Sequence, residues 1–181
     1  MVDEIEVKIL DINKEEIINK LKSLGAKKVF DGRISSILLD NDNGDIHKKG
    51  ELLRLRKIGD DVELVYKERV EKSDIKHCIE HESKVDDFNS VLKIFHKLGY
   101  TQKSSTYEKN RISFEIDGIH FDFDEYPGIN PFVEVEAHTR IDVEKGVKML
   151  GYEMKDTKAW DAGEVAKHYG VNINKLQFKG D

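Results

Sequence analysis

The sequence predicts an α+β domain in which eight antiparallel strands form a closed barrel or a strongly curled sheet with flanking helices. Charged and apolar residues alternate over several segments, as at residues 4–9, and this alternation is typical of strands with one charged and one apolar face. Hairpin turns are indicated at residues 59–61 and 117–118, where glycine and aspartate combine. The 181 residues fit a single domain, 1–181.

The predicted strands follow one another with turn residues or helices between them. They lie at residues 2–10, 33–40, 51–57, 62–70, 75–85, 105–116, 118–125 and 132–138. Residues 41–45 have the sequence Asn-Asp-Asn-Gly-Asp, which predicts a loop, because these residue types favour turns.

Four helices are predicted from apolar spacing and from start and stop signals. They lie between Asn13 and Gly25, from about residue 87 to 98, at 143–150 and between Asp161 and Gly170. Asn13 and Glu16 have the spacing of a capping box, and Gly25 ends the apolar pattern of the first helix. The third helix has Asp142 as its expected cap.

Composition limits the classes of function. With 36 acidic and 30 basic residues, the net charge of -6 argues against a nucleic-acid partner. No apolar run approaches the ~18 residues of a membrane span, and the first residues lack the pattern of a signal peptide, so no membrane partner is expected. Cys78 is the single cysteine, which excludes an internal disulfide and a cysteine-based zinc cluster. A cytoplasmic protein is the expectation.

The charged strand faces are sorted by sign. Acid pairs occur as Glu4/Glu6, Glu80/Glu82, Asp122/Asp124 and Glu134/Glu136, and basic groups as Arg54/Arg56, Lys67 and Lys109/Arg111. Alternation alone is also typical of a solvated sheet face, but such a face favours mixed signs across its strands. Acid pairs can bind a divalent cation and basic pairs a polyphosphate. Clusters of oxygen ligands suit Mg²⁺ or Mn²⁺, and arginine forks suit phosphate oxygens.

Six short motifs resemble, in order, those of the CYTH superfamily, which comprises class IV adenylyl cyclases and thiamine triphosphatases and is also called the triphosphate tunnel metalloenzymes. They are Glu4-x-Glu6-x-Lys8, Leu53-Arg54-Leu55-Arg56-Lys57, Val65-Tyr66-Lys67, Glu80-x-Glu82, Lys109-x-Arg111 and the segment from Asp124 to Glu136. One such tripeptide would be weak evidence, whereas six in the right order are strong evidence.

The resemblance implies a single CYTH-like domain with an eight-stranded antiparallel β-barrel, the triphosphate tunnel, whose interior binds a triphosphate and a divalent metal. It implies that the metal, Mg²⁺ or Mn²⁺, is bound by Glu4, Glu6, Asp124, Glu134 and Glu136. It implies phosphate contacts from Lys8, Arg54, Arg56, Lys67, Lys109 and Arg111. Lys8, Lys67, Glu80 and Glu82 are the catalytic candidates.

The chain departs from the family at four places, one of which is Asn130-Pro131-Phe132, where many cyclase-type members have Leu-Gly-x-Phe. Leu38 stands where many members have a tyrosine, and some triphosphatases of the family use that tyrosine with a lysine to place the attacking water. The arginine often found just before the Glu-x-Glu strand is absent, with Lys76, His77 and Cys78 there instead. The Ser-Tyr-x-Asp-Leu-Leu sequence of the cyclases is not found around Trp160.

The resulting hypothesis is a metal-dependent hydrolase acting on inorganic triphosphate, thiamine triphosphate or ATP, as a monomer or homodimer. The alternative is a class IV adenylyl cyclase that converts ATP to cyclic AMP and pyrophosphate. Hydrolysis is favoured because cyclisation also needs a nucleoside pocket, for which the sequence has no motif. A second alternative is a non-catalytic polyphosphate-binding module.

Overall fold

Eight long strands form a closed antiparallel β-barrel in this computed structural model, which describes residues 2–102, 106–172 and 176–178. The strands are β1 (Val2–Ile9), β2 (Lys27–Asp40), β3 (Leu52–Ile58), β4 (Asp61–Lys72), β5 (Lys76–Val85), β7 (Tyr107–Ile116), β8 (Ile119–Glu125) and β9 (Phe132–Ala137), and β6 (Thr101–Gln102) adds a short pairing at the end of β2. Their order around the barrel is β2-β3-β4-β5-β1-β9-β8-β7, and β7 pairs with β2 to close it. The predicted barrel is confirmed.

Helices flank the barrel on its outside. They are α1 (Lys14–Ser23), α2 (Asp45–Lys48), α3 (Phe88–Lys97), α4 (Arg140–Leu150) and α5 (Ala162–His168), with a 3₁₀ turn at Met154–Asp156. The predicted caps Asn13 and Asp161 accept backbone N–H groups from Glu16 and Glu164. No helix in the described ranges is long and apolar enough to cross a membrane.

Two boundaries differ from the sequence prediction by more than two residues, and a third falls on residues that the structure does not describe. Helix α4 begins earlier than expected, because the Thr139 hydroxyl, rather than the Asp142 carboxylate, caps it by accepting the Asp142 N–H at 3.2 Å. Strand β2 begins six residues before residue 33, because β7 supplies backbone partners to this exposed segment, with a bulge at residues 28–30. The predicted start of the sixth strand at residue 105 lies outside the described residues, and β7 begins at Tyr107.

The predicted loop at 41–45 is present over residues 41–44, and Asp45 begins the short helix α2, which was not predicted. Asp40 is buried and its carboxylate accepts the N–H groups of Ile46 at 3.1 Å and His47 at 3.0 Å. The carboxylate therefore satisfies backbone donors that a helix start leaves free. This fixes the connection between β2 and β3.

The apolar faces of the strands point outward and are covered by helices. Val7, Phe121 and Val135 are fully buried in the cluster that lies beneath α1 and α4. Helix α4 approaches the sheet closely at Gly146, where an added Cβ would lie 2.6 Å from Val135. A second cluster, which includes Leu55, lies between α3 and the outer face of β2, β3 and β4. The barrel interior is thus left to the charged residues.

Helix α5 and the segment before it lie against one end of the barrel. Lys8 and Lys158 exchange two backbone hydrogen bonds of 2.8 Å, which attach this segment to β1. Val165 of α5 packs in a cluster with Tyr107 and Phe132, the first residues of β7 and β9. An aromatic cluster therefore borders this end of the interior.

Candidate active site

The barrel interior contains a cavity of about 260 Å³, here called the tunnel cavity. Among the described residues its wall carries seven acidic and seven basic side chains: Glu4, Glu6, Glu80, Glu82, Glu134, Glu136 and Asp161, and Lys8, Arg54, Arg56, Lys67, Lys76, Lys109 and Arg111. Six strands contribute to the wall, each through alternate residues, because successive side chains of a strand point to opposite faces. Apart from the Asp122/Asp124 pair, the charged pairs recognised in the sequence thus converge on one space.

Three carboxylates meet on the wall formed by β1 and β9. Glu4, Glu6 and Glu136 each offer an oxygen, and these oxygens all lie within 4.8 Å of one another. Glu6 and Glu136 are direct partners in the ladder, which explains their approach. Burial, together with the charges of Glu4 and Glu6, raises the pKa of Glu136 to about 8. Three oxygen donors of this kind suit Mg²⁺ or Mn²⁺.

Glu6 also forms ion pairs with two lysines. The Nζ atoms of Lys8 and Lys76 lie 2.6 and 2.8 Å from the same oxygen, Oε1. Burial alone would raise the pKa of Glu6, but Lys76 and Lys8 outweigh it and lower that pKa well below its usual value. Glu6 therefore stays ionised between two fixed cations.

Asp124 and Glu134, the other two predicted metal residues, lie outside this group of three carboxylates, in an ion-pair network that Lys8 links to Glu6. Asp124 is fully buried and accepts hydrogen bonds from Lys109 and from Arg111, both at 2.6 Å. Glu134 pairs with Lys8 at 3.0 Å and with Arg111 at 2.5 Å. Burial would raise the pKa of Glu134, but Lys8 and Arg111 lower it far below its usual value. The structure thus brings three of the five predicted metal residues together.

The predicted phosphate-binding arginines on β3 differ in how fully they are paired. Arg56 donates to the buried Glu63 at 2.6 Å and to Glu82 at 3.0 Å. Arg54 is paired more weakly. Among the described residues, its ion-pair partner is Glu80, whose Oε1 lies 4.0 Å from the guanidinium group. Its Nε is buried and has no hydrogen-bond acceptor among the described residues. Arg54 therefore has donor capacity left for an anion.

The remaining predicted residues are on β4 and β5, which lie between β3 and β1 in the barrel. Lys67 contacts Glu4 and lies 3.4 Å from Glu80. The Oε1 atom of Glu80 is buried and lacks a hydrogen-bond donor in the described part of the chain. Glu82 is 41% exposed at its side chain and lies toward the rim.

Several wall residues were not selected from the sequence. Lys76 could have been found, because it shares strand parity with Glu80 and Glu82. Tyr107 likewise shares parity with Lys109 and lines the cavity next to Arg54, within hydrogen-bonding reach of its guanidinium group. Asp161 gave only a helix-start signal, because its position on the wall depends on how α5 packs against the barrel.

Comparison with known proteins gives consistent results at the level of family and fold. The model of the CYTH domain matches residues 3–159. The Methanocaldococcus jannaschii protein named "Putative adenylate cyclase MJ0240" is 27% identical over 178 residues, covering 98% of each protein.

Solved structures with the same fold include the PH1012 protein from Pyrococcus horikoshii OT3. It superposes with a TM-score of 0.77 at 23% identity and covers 93% of this chain and 99% of that chain. The Hippeastrum protein HpAC1, named a "Putative adenylyl cyclase" with a dominant triphosphatase activity, superposes with a TM-score of 0.64 at 16% identity, covering 96% of this chain and 100% of that chain.

Proposed function

Because the chain belongs to the CYTH domain family, we propose that it is a divalent-metal-dependent enzyme that hydrolyses a triphosphate bound in the tunnel cavity. The observation that carries the proposal is the position of the Glu4–Glu6–Glu136 triad in the same cavity as Arg54. The Nε of Arg54 is buried and has no acceptor in the part of the chain that the structure describes. A buried, unpaired guanidinium donor is costly unless a ligand satisfies it. A metal-bound polyphosphate would complement both features.

The residues of the cavity would divide the work of phosphoryl transfer between them. Glu4, Glu6 and Glu136 would bind Mg²⁺ or Mn²⁺, which would neutralise phosphate charge when bound. Arg54 and Arg56 present planar forks suited to pairs of phosphate oxygens, whereas Lys67 acts as a point charge. Such catalysis depends mainly on positioning and on charge stabilisation, so no covalent nucleophile is required.

Glu80 is the candidate for orienting the attacking water. Its Oε1 is a buried carboxylate oxygen without a donor among the described residues, and Lys67 fixes the other oxygen from 3.4 Å. A water molecule between Glu80 and the terminal phosphate would donate one hydrogen bond to Oε1. This would align its lone pair for in-line attack.

Incubation with defined substrates tests the proposal. The purified protein is given ATP, thiamine triphosphate or inorganic triphosphate with Mg²⁺ or Mn²⁺, and the products are identified by chromatography. We expect release of free phosphate that stops when EDTA is added. The Glu80→Gln variant should lose about 100-fold or more in turnover, while Glu15→Gln on the exposed surface of α1 serves as the matched control. Turnover that persists in EDTA would contradict the metal dependence.

A second candidate function is formation of cyclic AMP from ATP. It is favoured by the Methanocaldococcus jannaschii relative, whose name is that of an adenylate cyclase and which matches over nearly the whole chain. The same incubation separates the two reactions, because cyclisation yields cyclic AMP and pyrophosphate while hydrolysis yields free phosphate. Tight binding of all three substrates without turnover would indicate a polyphosphate-binding module instead.

A further inference from the structure

Helix α3 differs from the other helices in how little of it is buried. Every other α-helix in the described ranges buries at least one side chain, such as Leu21 of α1 or Val147 of α4, whereas α3 buries none. Its apolar content is nevertheless high, because six of the eleven residues from Phe88 to Leu98 are apolar. Helices in proteins are stabilised mainly by burying an apolar face. Helix α3 therefore has apolar surface that its own chain does not cover.

The apolar residues of α3 form two adjacent stripes. One stripe, which includes Phe88 and Phe95, packs against the outer face of the barrel. Val91, Ile94 and Leu98 have the i, i+3, i+7 spacing of one helix face and are here called the outer stripe of α3. Ile94 is 56% exposed and Leu98 is 66% exposed. The outer stripe thus points largely into solvent.

Further apolar side chains lie beside α3 and are only half-buried. They are Leu64 and Tyr66 on β4, Val85 at the end of β5 and Tyr100 just after the helix. An exposed apolar patch of this kind marks a contact with another molecule in many soluble proteins. A standard interface covers about 800 Å² on each partner. These neighbours are needed to reach such an area, because α3 itself is only about 15 Å long.

The charged residues around the outer stripe are sorted along the helix. Asp86 and Asp87 lie at its amino end, where the Asp87 carboxylate accepts the Ser90 N–H at 2.6 Å. Lys93 and Lys97 lie in its second half, and all four charged side chains are exposed. Neither Asp86 nor Lys97 forms an ion pair with another residue of the described ranges. Both can therefore pair with charges on another molecule.

This sorting favours a second copy of the chain as the partner. In a contact with two-fold symmetry each α3 meets its own copy, and an axis perpendicular to the helix makes the two helices antiparallel. The acidic amino end of each then lies beside the basic half of the other, whereas a parallel pair would place like charges together. The register that brings Asp86 of one copy near Lys97 of the other also brings Leu98 near Val85 of the other copy. The two aspartates would oppose binding to an anionic membrane.

We propose that the outer stripe of α3 and its half-buried neighbours form the interface of a homodimer in which the two α3 helices pack antiparallel across a two-fold axis. No residue of α3 lines the tunnel cavity, so the interface leaves the wall of that cavity unchanged in each copy. The inference does not depend on the reaction performed. It selects one of the two assembly states, monomer or homodimer, that the sequence left open.

Sedimentation velocity of the whole chain, from about 1 to about 200 µM, tests the inference. We expect dimers at the upper concentrations, and we expect Ile94→Lys to raise the dissociation constant at least about tenfold. Because Ile94 is exposed, the variant should keep the wild-type circular dichroism spectrum. The matched control Ile141→Lys, at a residue 78% exposed at the start of α4, should dimerise like wild type. A wild-type chain that stays monomeric throughout this range, whether or not it binds anionic vesicles, would overturn the inference, as would dimers that Ile94→Lys leaves equally tight.

Charge reversal tests the antiparallel arrangement. Asp86→Lys and Lys97→Glu each replace attraction by repulsion at two symmetry-related places, so each should weaken dimerisation about tenfold at low salt. The double variant Asp86→Lys/Lys97→Glu should recover the wild-type dissociation constant, because opposite charges again face each other. Single reversals without effect, or a double variant that stays as weak as the single ones, would overturn the proposed interface.

Discussion

Glu134 and Glu136 lie two residues apart on β9, yet their surroundings are opposite. Glu134 is compensated by Lys8 and Arg111, whereas Glu136 lies among the carboxylates of Glu4 and Glu6. Sequence analysis cannot distinguish the two, because they form one Glu-x-Glu pair. Only the register of β9 against β1 assigns one to an ion-pair network and the other to the triad.

The first prediction follows from this difference. Glu136→Gln should abolish Mg²⁺ binding and leave the metal-free protein as stable or more stable, because it removes a repelling charge. Glu134→Gln should cost about 3–5 kcal/mol of unfolding free energy, since it leaves buried cations undercompensated. Urea unfolding at pH 8.5, with Mg²⁺ binding measured by calorimetry, separates the two effects. Equal destabilisation by both variants would mean that Glu136 is also an ion-pair partner.

The pKa of Glu136 gives a second prediction, on pH. Its carboxyl has a pKa of about 8 and is therefore mostly protonated at neutral pH in the metal-free protein. A cation must displace that proton, so apparent Mg²⁺ affinity should rise about tenfold per pH unit from pH 6 until it levels off near pH 8. Calorimetry in buffers of different ionisation enthalpy would measure the proton released. Affinity independent of pH across this range would contradict the prediction.

The same group affects folding stability with a definite sign. A carboxyl whose pKa is higher in the folded than in the unfolded state stabilises the fold fully below the unfolded pKa of about 4.5. That contribution is lost as the pH rises through about 8. The melting temperature of metal-free wild type should therefore fall between pH 6 and 9 relative to Glu136→Gln, and Mg²⁺ should restore it.

At the scale of elements, the alternation of charged and apolar residues predicted most of the strands, and capping signals predicted most of the helices. Glu4, Glu6 and Lys8 alternate with apolar residues over residues 4–9 of β1, so both the strand and its charged face could be predicted. The inward direction of the charged face could not be derived from alternation, because a solvated outer face has the same pattern. Family resemblance supplied the direction, and the helices covering the apolar faces confirm it.

The features that the sequence analysis missed depend on contacts that periodicity and capping signals do not describe. Helix α2 is specified by a buried carboxylate, Asp40, several residues before it. Lys76 contacts Glu6, 70 residues away, so its strand parity could place it on the charged face but could not identify its partner. Such contacts become visible when strand register is known, since register decides which side chains face each other.

A third prediction concerns the packing of α4 on the sheet. In Gly146→Ala the new methyl group would meet Val135 at 2.6 Å and Ile119 at 2.9 Å. Overpacking costs about 1–3 kcal/mol and outweighs the gain of up to about 1 kcal/mol in helix propensity. We expect a net loss of about 1–2 kcal/mol in urea unfolding, while Lys148→Ala on the exposed side of α4 changes little. A stabilised Gly146→Ala protein would mean that α4 can move away from the sheet without cost.

For the whole molecule, the barrel reverses the usual placement of apolar and charged residues. The chain carries a net charge of -6, yet the groups that line the tunnel cavity are balanced in number. An added triphosphate alone would leave excess negative charge in a buried space, and a metal ion alone would leave excess positive charge near Arg54. Each ligand should therefore raise the affinity of the protein for the other, as thermodynamic linkage requires of any such coupling.

This balance leads to the last prediction, which concerns the length of the phosphate chain. With Mg²⁺ present, inorganic triphosphate should raise the melting temperature more than pyrophosphate, and pyrophosphate more than phosphate. The triad and the arginines of β3 line the same cavity, and we expect only the longest chain to contact both. A ligand at about 100 times its dissociation constant adds about 2.7 kcal/mol of stability, so the series reports affinity directly. Omitting Mg²⁺ should shrink the triphosphate shift far more than the phosphate shift. Equal shifts for all three anions would mean that the tunnel cavity has no extended polyphosphate site, and the charge balance of its wall would then serve the fold alone.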